Sequence, residues 1–221
     1  NCSDRQRLSR SNSFCGNPED WFNAVILKEF KLRALTFDFF VYWSNSPLTV
    51  TKEFWLKGLT DSPVSADLNP LDPHKELNHA YGEGFVETYT RFCEHYCINS
   101  YAIIYDDSND WGNENSKILF VKFTLGSNDD IEYKLNVINI DELMLKIQNN
   151  SGGPIRIGLK CLYYGTSRLE CFLSKTTSLY PGDADLVIAD NDGNAKCIIE
   201  FKKHNLNSDI QNQKISNFLK K

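Results

Sequence analysis

The spacing of apolar and polar residues predicts a mixed α/β first part of the chain. Residues 21–32 have helical spacing and follow a helix-opening sequence with Pro18 and two acidic residues. Residues 36–43 are rich in Phe and Tyr and predict a strand. Prolines between residues 47 and 73 indicate loops around one short segment, residues 52–59. Residues 77–96 predict one helix that continues through two glycines.

The middle of the chain predicts strands. Residues 100–105, 117–125 and 132–138 are rich in β-branched and aromatic side chains, and residues 126–130 indicate a hairpin turn between the last two. A helix is expected from Ile140 to about Gln148, where a Ser-Gly-Gly-Pro sequence ends it.

Composition and charge narrow the class of protein. The chain has 221 residues, of which 41% are hydrophobic and 24% charged, which is enough apolar material for a folded core. The formal net charge is −5, so no overall positive field attracts nucleic acid or an anionic membrane. Residues 151–221 nevertheless carry 10 basic against 7 acidic side chains, so any such binding is expected to be local to this part.

Cysteine usage and hydropathy bear on the compartment. The seven cysteines are irregularly spaced and several lie in apolar runs, which favours reduced thiols in the cytoplasm. Charged residues interrupt the most apolar region, residues 21–43, so no transmembrane helix is predicted.

The segment from residue 180 to residue 204 carries the candidate chemistry. Two apolar β-type runs flank Asp192-Gly193, a dipeptide favoured in two-residue type I′ hairpin turns. With that turn, the numbers of paired residues sum to 385, so Asp185 faces Glu200 and Asp183 faces Lys202. Directly opposed residues share a sheet face. Apolar residues on both faces predict that the hairpin is covered on both sides.

A buried hairpin would hold bare carboxylates together only at a high cost, because like charges repel and burial disfavours ionisation. A divalent cation removes this conflict. Two or three carboxylates with backbone and water oxygens form a hard site that suits Mg²⁺ or Mn²⁺.

These residues resemble the motif of the PD-(D/E)XK, or restriction-endonuclease-like, nucleases, in which an Asp on one strand is followed by Glu-x-Lys on the next. The matching sequences are GDADLV with Asp185 and the segment from Glu200 to Lys202. The resemblance implies an upstream glutamate on a preceding helix, and the best candidate is Glu170 after a capping Thr166 or Ser167. It also implies a helix after Lys202, for which residues 207–220 are available.

The resemblance implies an α/β fold with a restriction-endonuclease-like core, a mixed sheet flanked by helices, at residues 151–221. The shown sequence would then be truncated at the C-terminus. A β-rich extension at residues 98–150 and an N-terminal mixed module at residues 1–97 precede this core. The N-terminal module is a candidate for target or partner recognition.

The resemblance implies metal-dependent hydrolysis of phosphodiester bonds. DNA is the expected substrate rather than RNA, because it is the more frequent substrate in this family. Asp185 and Glu200 would hold Mg²⁺ or Mn²⁺, while Lys202 would orient the attacking water or offset charge in the transition state. Asp183 or Glu170 would serve a second ion. The alternative is a non-catalytic nucleic-acid-binding or assembly protein that keeps the fold, with a partner subunit or a second copy of the chain.

Structural interpretations stand beside several of these assignments. Asp183 also fits a turn after Pro181-Gly182, and Glu170 also fits a capping box. The basic residues near the motif fit either a solvated surface or a rim that binds the nucleic-acid backbone; they are Lys196, Lys203, His204, Lys214, Lys220 and Lys221.

Two further groups of residues have competing interpretations. His74, His79, Cys93 and Cys97 could bind zinc, but the spacing is not that of a standard zinc finger, and a cysteine one helical turn from another often packs as a small apolar side chain. Trp43, Trp55, Tyr81 and Tyr89 could stack on bases, although their apolar surroundings favour core packing.

Overall fold

The computed structural model describes residues 24–37, 40–44, 50–61, 63–64, 71–113, 115–157, 167–178 and 184–199. The helices are α1 (Ala24–Glu29), α2 (Pro73–Tyr81), α3 (Phe85–His95), α4 (Ile140–Ser151) and α5 (Arg168–Leu173). The strands are β1 (Leu32–Phe37), β2 (Phe40–Ser44), β3 (Val50–Leu59), β4 (Asn99–Tyr105), β5 (Lys117–Leu125), β6 (Ile131–Asn139), β7 (Ala184–Asp190) and β8 (Ala195–Ile199).

These strands form a large mixed sheet and a small antiparallel sheet. The large sheet has the order β2-β3-β4-β5-β6, and only β3 and β4 are parallel within it. Helices α2 and α3 make the crossover between those two parallel strands. The small sheet has the order β1-β7-β8. The expected α/β class is therefore confirmed. The mixed sheet, however, is formed by strands within residues 40–139, whereas the described strands of the expected core at residues 151–221 belong to the antiparallel sheet.

Alternation along the large sheet creates two cores, one on each face. On one face, Phe54 and Leu56 of β3 pack with α3 and with β1 and β7 of the small sheet. On the other face, Trp55 packs with residues of α4 and α5. Helix α3 therefore lies between the two sheets, whereas α4 and α5 cover the opposite side of the large sheet.

Two segments differ from the sequence expectation. Residues 77–96 form two helices, because Gly82 and Gly84 have φ angles of 101° and 77°, which end α2 and precede α3. The strand expected at residues 36–43 is divided between β1 of the small sheet and β2 of the large sheet. Residues 17–23 and 207–220, which belong to predicted helices, lie outside the described residues.

Both sheets combine segments that the sequence assigned to separate units. The large sheet takes β2 and β3 from residues 1–97 and β4 to β6 from residues 98–150, while the small sheet joins β1 to β7 and β8 from residues 151–221. Each of the two sheets therefore takes strands from two of the predicted units.

Candidate functional site

The candidate site is built on the hairpin of β7 and β8. Leu186 pairs with Ile199, Val187 with Ile198 and Ile188 with Cys197, so the numbers of each pair sum to 385. This is the register predicted from the sequence. If it continued by one pair, it would bring position 200 opposite Asp185. Glu200, Lys202 and Asp183 lie outside the described residues, so their positions remain predictions.

The turn of the hairpin is not the predicted two-residue turn. The amide of Asp190 donates to the carbonyl of Asn194, which leaves a three-residue loop that ends at Gly193 with a φ angle of 87°. Such a loop, a turn followed by a left-handed glycine, shifts the pairing by one residue, and Ala189 accordingly pairs with Ala195.

An extra residue in β8, Lys196, then restores the pairing sum of 385. The predicted register is therefore correct although the predicted hairpin turn is wrong, because the longer loop and the bulge offset each other.

Asp190 organises this loop through its carboxylate. Its Oδ1 accepts hydrogen bonds from the backbone amides of Asp192 and Asn194 at 3.1 and 2.8 Å, and its Oδ2 lies 2.9 Å from Nζ of Lys196. The bond from Lys196 is the main reason that the pKa of Asp190 lies well below its ordinary value. Lys196 thus serves the hairpin turn, whereas the sequence left it open between a solvated surface and a backbone-binding rim.

The hairpin is also held against helix α3. A Cβ placed on Gly193 would lie 2.5 Å from the backbone nitrogen of Phe92 and 2.6 Å from the carbonyl carbon of Arg91. The hydroxyl of Tyr96 accepts a hydrogen bond of 3.0 Å from the amide of Ala195. Contacts with α3 therefore fix where the loop lies, and through the two strands they position the end that carries Asp185.

Asp185 lies near the beginning of β7 and is half-buried. It shares a face with Val187, which packs in the core between the two sheets. The expectation that both faces of the hairpin are covered holds for residues 186–189 of β7, which are buried. It is wrong for β8, because Ile198 is 75% exposed and Cys197 is exposed as well. In the described residues, β8 is an edge strand.

Glu170 has the capping-box role that its sequence context allowed. Its Oε2 accepts a hydrogen bond of 2.7 Å from the amide of Ser167, whose hydroxyl bonds in return to the amide of Glu170. Its Oε1 lies 3.6 Å from Nζ of Lys57, and both side chains are nearly buried. The hydroxyl of Tyr105 donates to Ser167 at 2.9 Å.

Glu170 and Asp185 belong to elements that pack against opposite faces of the large sheet. The helix of Glu170 packs through Leu169 on the face of the large sheet that carries Trp55, whereas the neighbour of Asp185 in β7, Val187, packs on the opposite face. Among the described residues, no group of three or more His, Cys, Asp or Glu side chains is arranged to hold one metal ion.

The described neighbourhood of Glu170 also includes Lys57, Tyr105 and Asp107, and sequence reasoning missed all three. Both carboxylate oxygens of Asp107 accept from the amide of Arg168 at the start of α5, while burial raises the pKa of Asp107 above its ordinary value. The one available signal in the sequence was Lys57, a lysine among the apolar residues of a strand. This signal does not identify Glu170, 113 positions away, as its partner.

Comparison of the chain with models of protein families, with curated proteins and with solved structures finds no match. The assignment of a function therefore depends on the residues and their geometry.

The residues proposed for zinc do not come together. Cys93 is fully buried in the core between the sheets, and burial raises the pKa of its thiol well above the ordinary value. Cys97 and His79 are exposed. Nε2 of His74 lies 2.9 Å from the carboxylate of Glu87, with which it forms a hydrogen bond. Cys93 thus has the apolar packing role that the helical spacing favoured.

The aromatic residues proposed for base stacking belong largely to the core, as the apolar surroundings indicated. Trp55 and Tyr89 are 1% and 0% exposed. Tyr81 is partly buried and donates its hydroxyl to the carbonyl of Lys57. The side chain of Trp43 is outside the described part, as are Lys203, His204, Lys214, Lys220 and Lys221.

Cys171 differs from the expectation of reduced thiols. It is disulfide-bonded, whereas Cys93, Cys97 and Cys197 are free thiols. In the described part of the chain, no helix is long and apolar enough to cross a membrane.

Proposed function

We propose that the protein is a divalent-metal-dependent nuclease whose active site lies at the end of the β7–β8 hairpin. The observation that supports this proposal is the register of the hairpin. If the pairing of residues 186–188 with 197–199 continues along the strands, the acidic pair at positions 185 and 200 would share one face, and Lys202 would follow on that same face. This is the arrangement that the PD-(D/E)XK resemblance requires.

The chemistry of the donors fits a hard cation. Asp185 is half-buried at a strand end, where a carboxylate is partly desolvated and still within reach of an ion from solvent. Glu200 would supply the second carboxylate, and Asp183 is a candidate for a further ligand. Mg²⁺ or Mn²⁺ bound there supplies Lewis-acid activation of a phosphoryl oxygen and of a water molecule.

The residues of the chain have separate tasks in this proposal. Asp185 and Glu200 fix the position of the ion relative to the scissile phosphate, and Lys202 offsets charge that develops on the phosphoryl oxygens in the transition state. The capping box and the ion pair of Glu170 support a structural role for this residue. We therefore assign metal binding first to Asp185 and Glu200.

The finer parts of the proposal have different origins. The restriction-endonuclease-like arrangement of the small sheet and DNA as the preferred substrate come from the resemblance. A second subunit or copy of the chain is proposed as a partner because the net charge of −5 does not itself attract nucleic acid. A cytoplasmic location is proposed from the cysteine usage, although the disulfide of Cys171 favours an oxidising compartment.

The test is a cleavage assay on plasmid DNA, single-stranded DNA and RNA with Mg²⁺ or Mn²⁺. Asp185→Asn, Glu200→Gln and Lys202→Met are each expected to lower the rate by roughly 100-fold or more, the order of magnitude for loss of one preorganised charged group. Asp192→Asn removes the same charge from an exposed loop position of the same hairpin and is the matched control.

Wild-type protein that cleaves none of these substrates, or cleavage that all three variants retain, would overturn the proposal. Binding without cleavage would favour the alternative, a non-catalytic nucleic-acid-binding or assembly protein.

A further inference from the structure

A row of aromatic and basic side chains crosses the face of the large sheet that lies opposite the small sheet. Tyr101 of β4 pairs with Lys122 of β5, and Lys122 pairs with Lys134 of β6. Directly paired side chains project from the same face with Cβ atoms about 5 Å apart. Two lysines directly opposite each other repel, so this pair is unfavourable to stability unless an anion lies nearby.

Helix α4 adds a third lysine to the border of this row. Nζ of Lys146 lies 4.7 Å from the ring centre of Phe120, whose ring in turn lies 5.1 Å from that of Tyr101. Nζ of Lys122 lies 5.8 Å from the ring centre of Tyr101. We call Tyr101, Lys122, Lys134 and Lys146 the basic strip.

The basic strip is partly open to solvent, and its lysines form no close ion pair with another described residue. Lys134 is exposed, and the other three members are half-buried. Within the described ranges, none of the three ammonium groups lies within 4.0 Å of a carboxylate.

Two carboxylates of the described strands project from the same face as the basic strip. Oε2 of Glu53 accepts hydrogen bonds of 2.9 Å from the indole of Trp55 and 2.7 Å from the amide of Asn150, and the charges of Lys146 and Lys122 favour the ionised form of this carboxylate. Glu132 is exposed, two residues before Lys134 on β6. The three ammonium groups of the basic strip therefore outnumber the two carboxylates that the described strands of the large sheet carry on this face, which leaves a local positive excess on an otherwise acidic protein.

We infer that the basic strip binds single-stranded nucleic acid, with phosphates on the lysines and a base against Tyr101. Lysines spaced along a sheet and an accessible aromatic ring are the two features by which single strands are held without sequence readout. This inference rests on the proposed function for the choice of nucleic acid as the polyanion. It adds an anchoring surface on the other side of the large sheet from Asp185.

The experiment measures binding without cleavage. A fluorescently labelled single-stranded 20-mer of DNA or RNA is titrated with the full chain in EDTA, and the anisotropy is followed at several salt concentrations. If each lysine releases one counterion, Lys122→Gln and Lys134→Gln should each weaken binding about fivefold at 0.1 M salt and lower the salt slope by about 0.7. Lys75→Gln, an exposed lysine on α2, is the matched control and should bind as the wild type does.

Two further variants separate stacking from folding. Tyr101→Leu should weaken binding roughly fivefold or more at every salt concentration, whereas Tyr101→Phe, which keeps the ring, should not. Lys122→Arg should retain binding. Urea midpoints equal to that of the wild type confirm that each variant is folded.

Several outcomes would overturn the inference. The first is unchanged binding in both lysine variants, or a loss of affinity no greater than that in Lys75→Gln. The second is duplex DNA bound as tightly as the single strand with no effect of Tyr101→Leu. The third is binding to anionic phospholipid vesicles but not to the oligonucleotide. Strip-dependent binding without any cleavage would leave this inference intact and remove the proposed nuclease. Asp185-dependent cleavage with unchanged binding in the strip variants would do the reverse.

Discussion

The contact of the hairpin loop with helix α3 gives the sharpest prediction for the site. Gly193 has a φ angle of 87°, and an added Cβ would lie 2.5 to 2.8 Å from three backbone atoms of Arg91 and Phe92. Because these atoms belong to a helix backbone, they cannot rotate away as a side chain does. Gly193→Ala should therefore displace the loop from α3.

The magnitude follows from two separate effects. An alanine in the left-handed region costs about 1–2 kcal/mol, and inserting a methyl group into a packed region costs roughly 1–3 kcal/mol more. We expect Gly193→Ala to lower the free energy of unfolding by about 2–5 kcal/mol. Gly153 is the matched control, because its φ angle is 107° and no atom lies within 4 Å of an added Cβ. Gly153→Ala should show the backbone effect alone, about 1–2 kcal/mol.

Urea unfolding of the two variants, followed by tryptophan fluorescence, measures this difference. A second readout is nuclease activity, which should fall in Gly193→Ala because α3 positions the strands that carry Asp185. Equal destabilisation by the two substitutions would show that the loop does not press against α3, and the account of how the site is positioned would then be wrong.

Three other changes have defined outcomes. Tyr96→Phe removes the hydroxyl that accepts from the amide of Ala195 and should destabilise by about 0.5–1.5 kcal/mol in the same urea assay; no change would mean that this hydrogen bond does not hold the hairpin. Burial raises the pKa of Glu53, so its contribution to stability is present at acid pH and is lost as the pH rises through the folded-state pKa. Glu53→Gln should therefore be more stable than the wild type at pH 7, with a difference that shrinks as the pH falls through the folded-state pKa towards the ordinary value of 4.5 and then levels off; a constant difference across a pH series of thermal unfolding would contradict this. Glu170→Gln keeps a capping side chain but removes the charge beside Lys57, so it should destabilise the protein by up to about 3 kcal/mol and leave cleavage by the folded protein unchanged. Loss of metal-dependent cleavage without loss of stability would instead make Glu170 a metal ligand.

Local patterns in the sequence were sufficient for the elements whose signals lie within a few residues. Strand β5 occupies the predicted residues 117–125, and helix α4 begins at Ile140 as expected. Gly152 caps that helix in the left-handed conformation. Such signals are local because alternation, capping side chains and glycines act over one or two turns of backbone.

The same local reasoning predicted the register of the candidate site without its true turn. The expected acidic pair at positions 185 and 200 requires paired residue numbers that sum to 385. The sequence predicted this sum, and residues 186–188 and 197–199 pair with it in the structure. The three-residue loop and the extra residue at Lys196 were not predictable, because Asp190 gathers its hydrogen-bond donors only when the loop is already formed.

The sequence by itself determined where most strands and helices form, which residue types can bind a metal, and which pairs a tight hairpin brings together. Only the tertiary structure decided that β1 joins β7, that Glu170 meets Lys57 across 113 residues, and that three lysines line one face of the large sheet. The physical reason is that strand pairing and burial across long sequence separations depend on which apolar faces pack together. That choice is made by the whole chain, and no short pattern of residues encodes it.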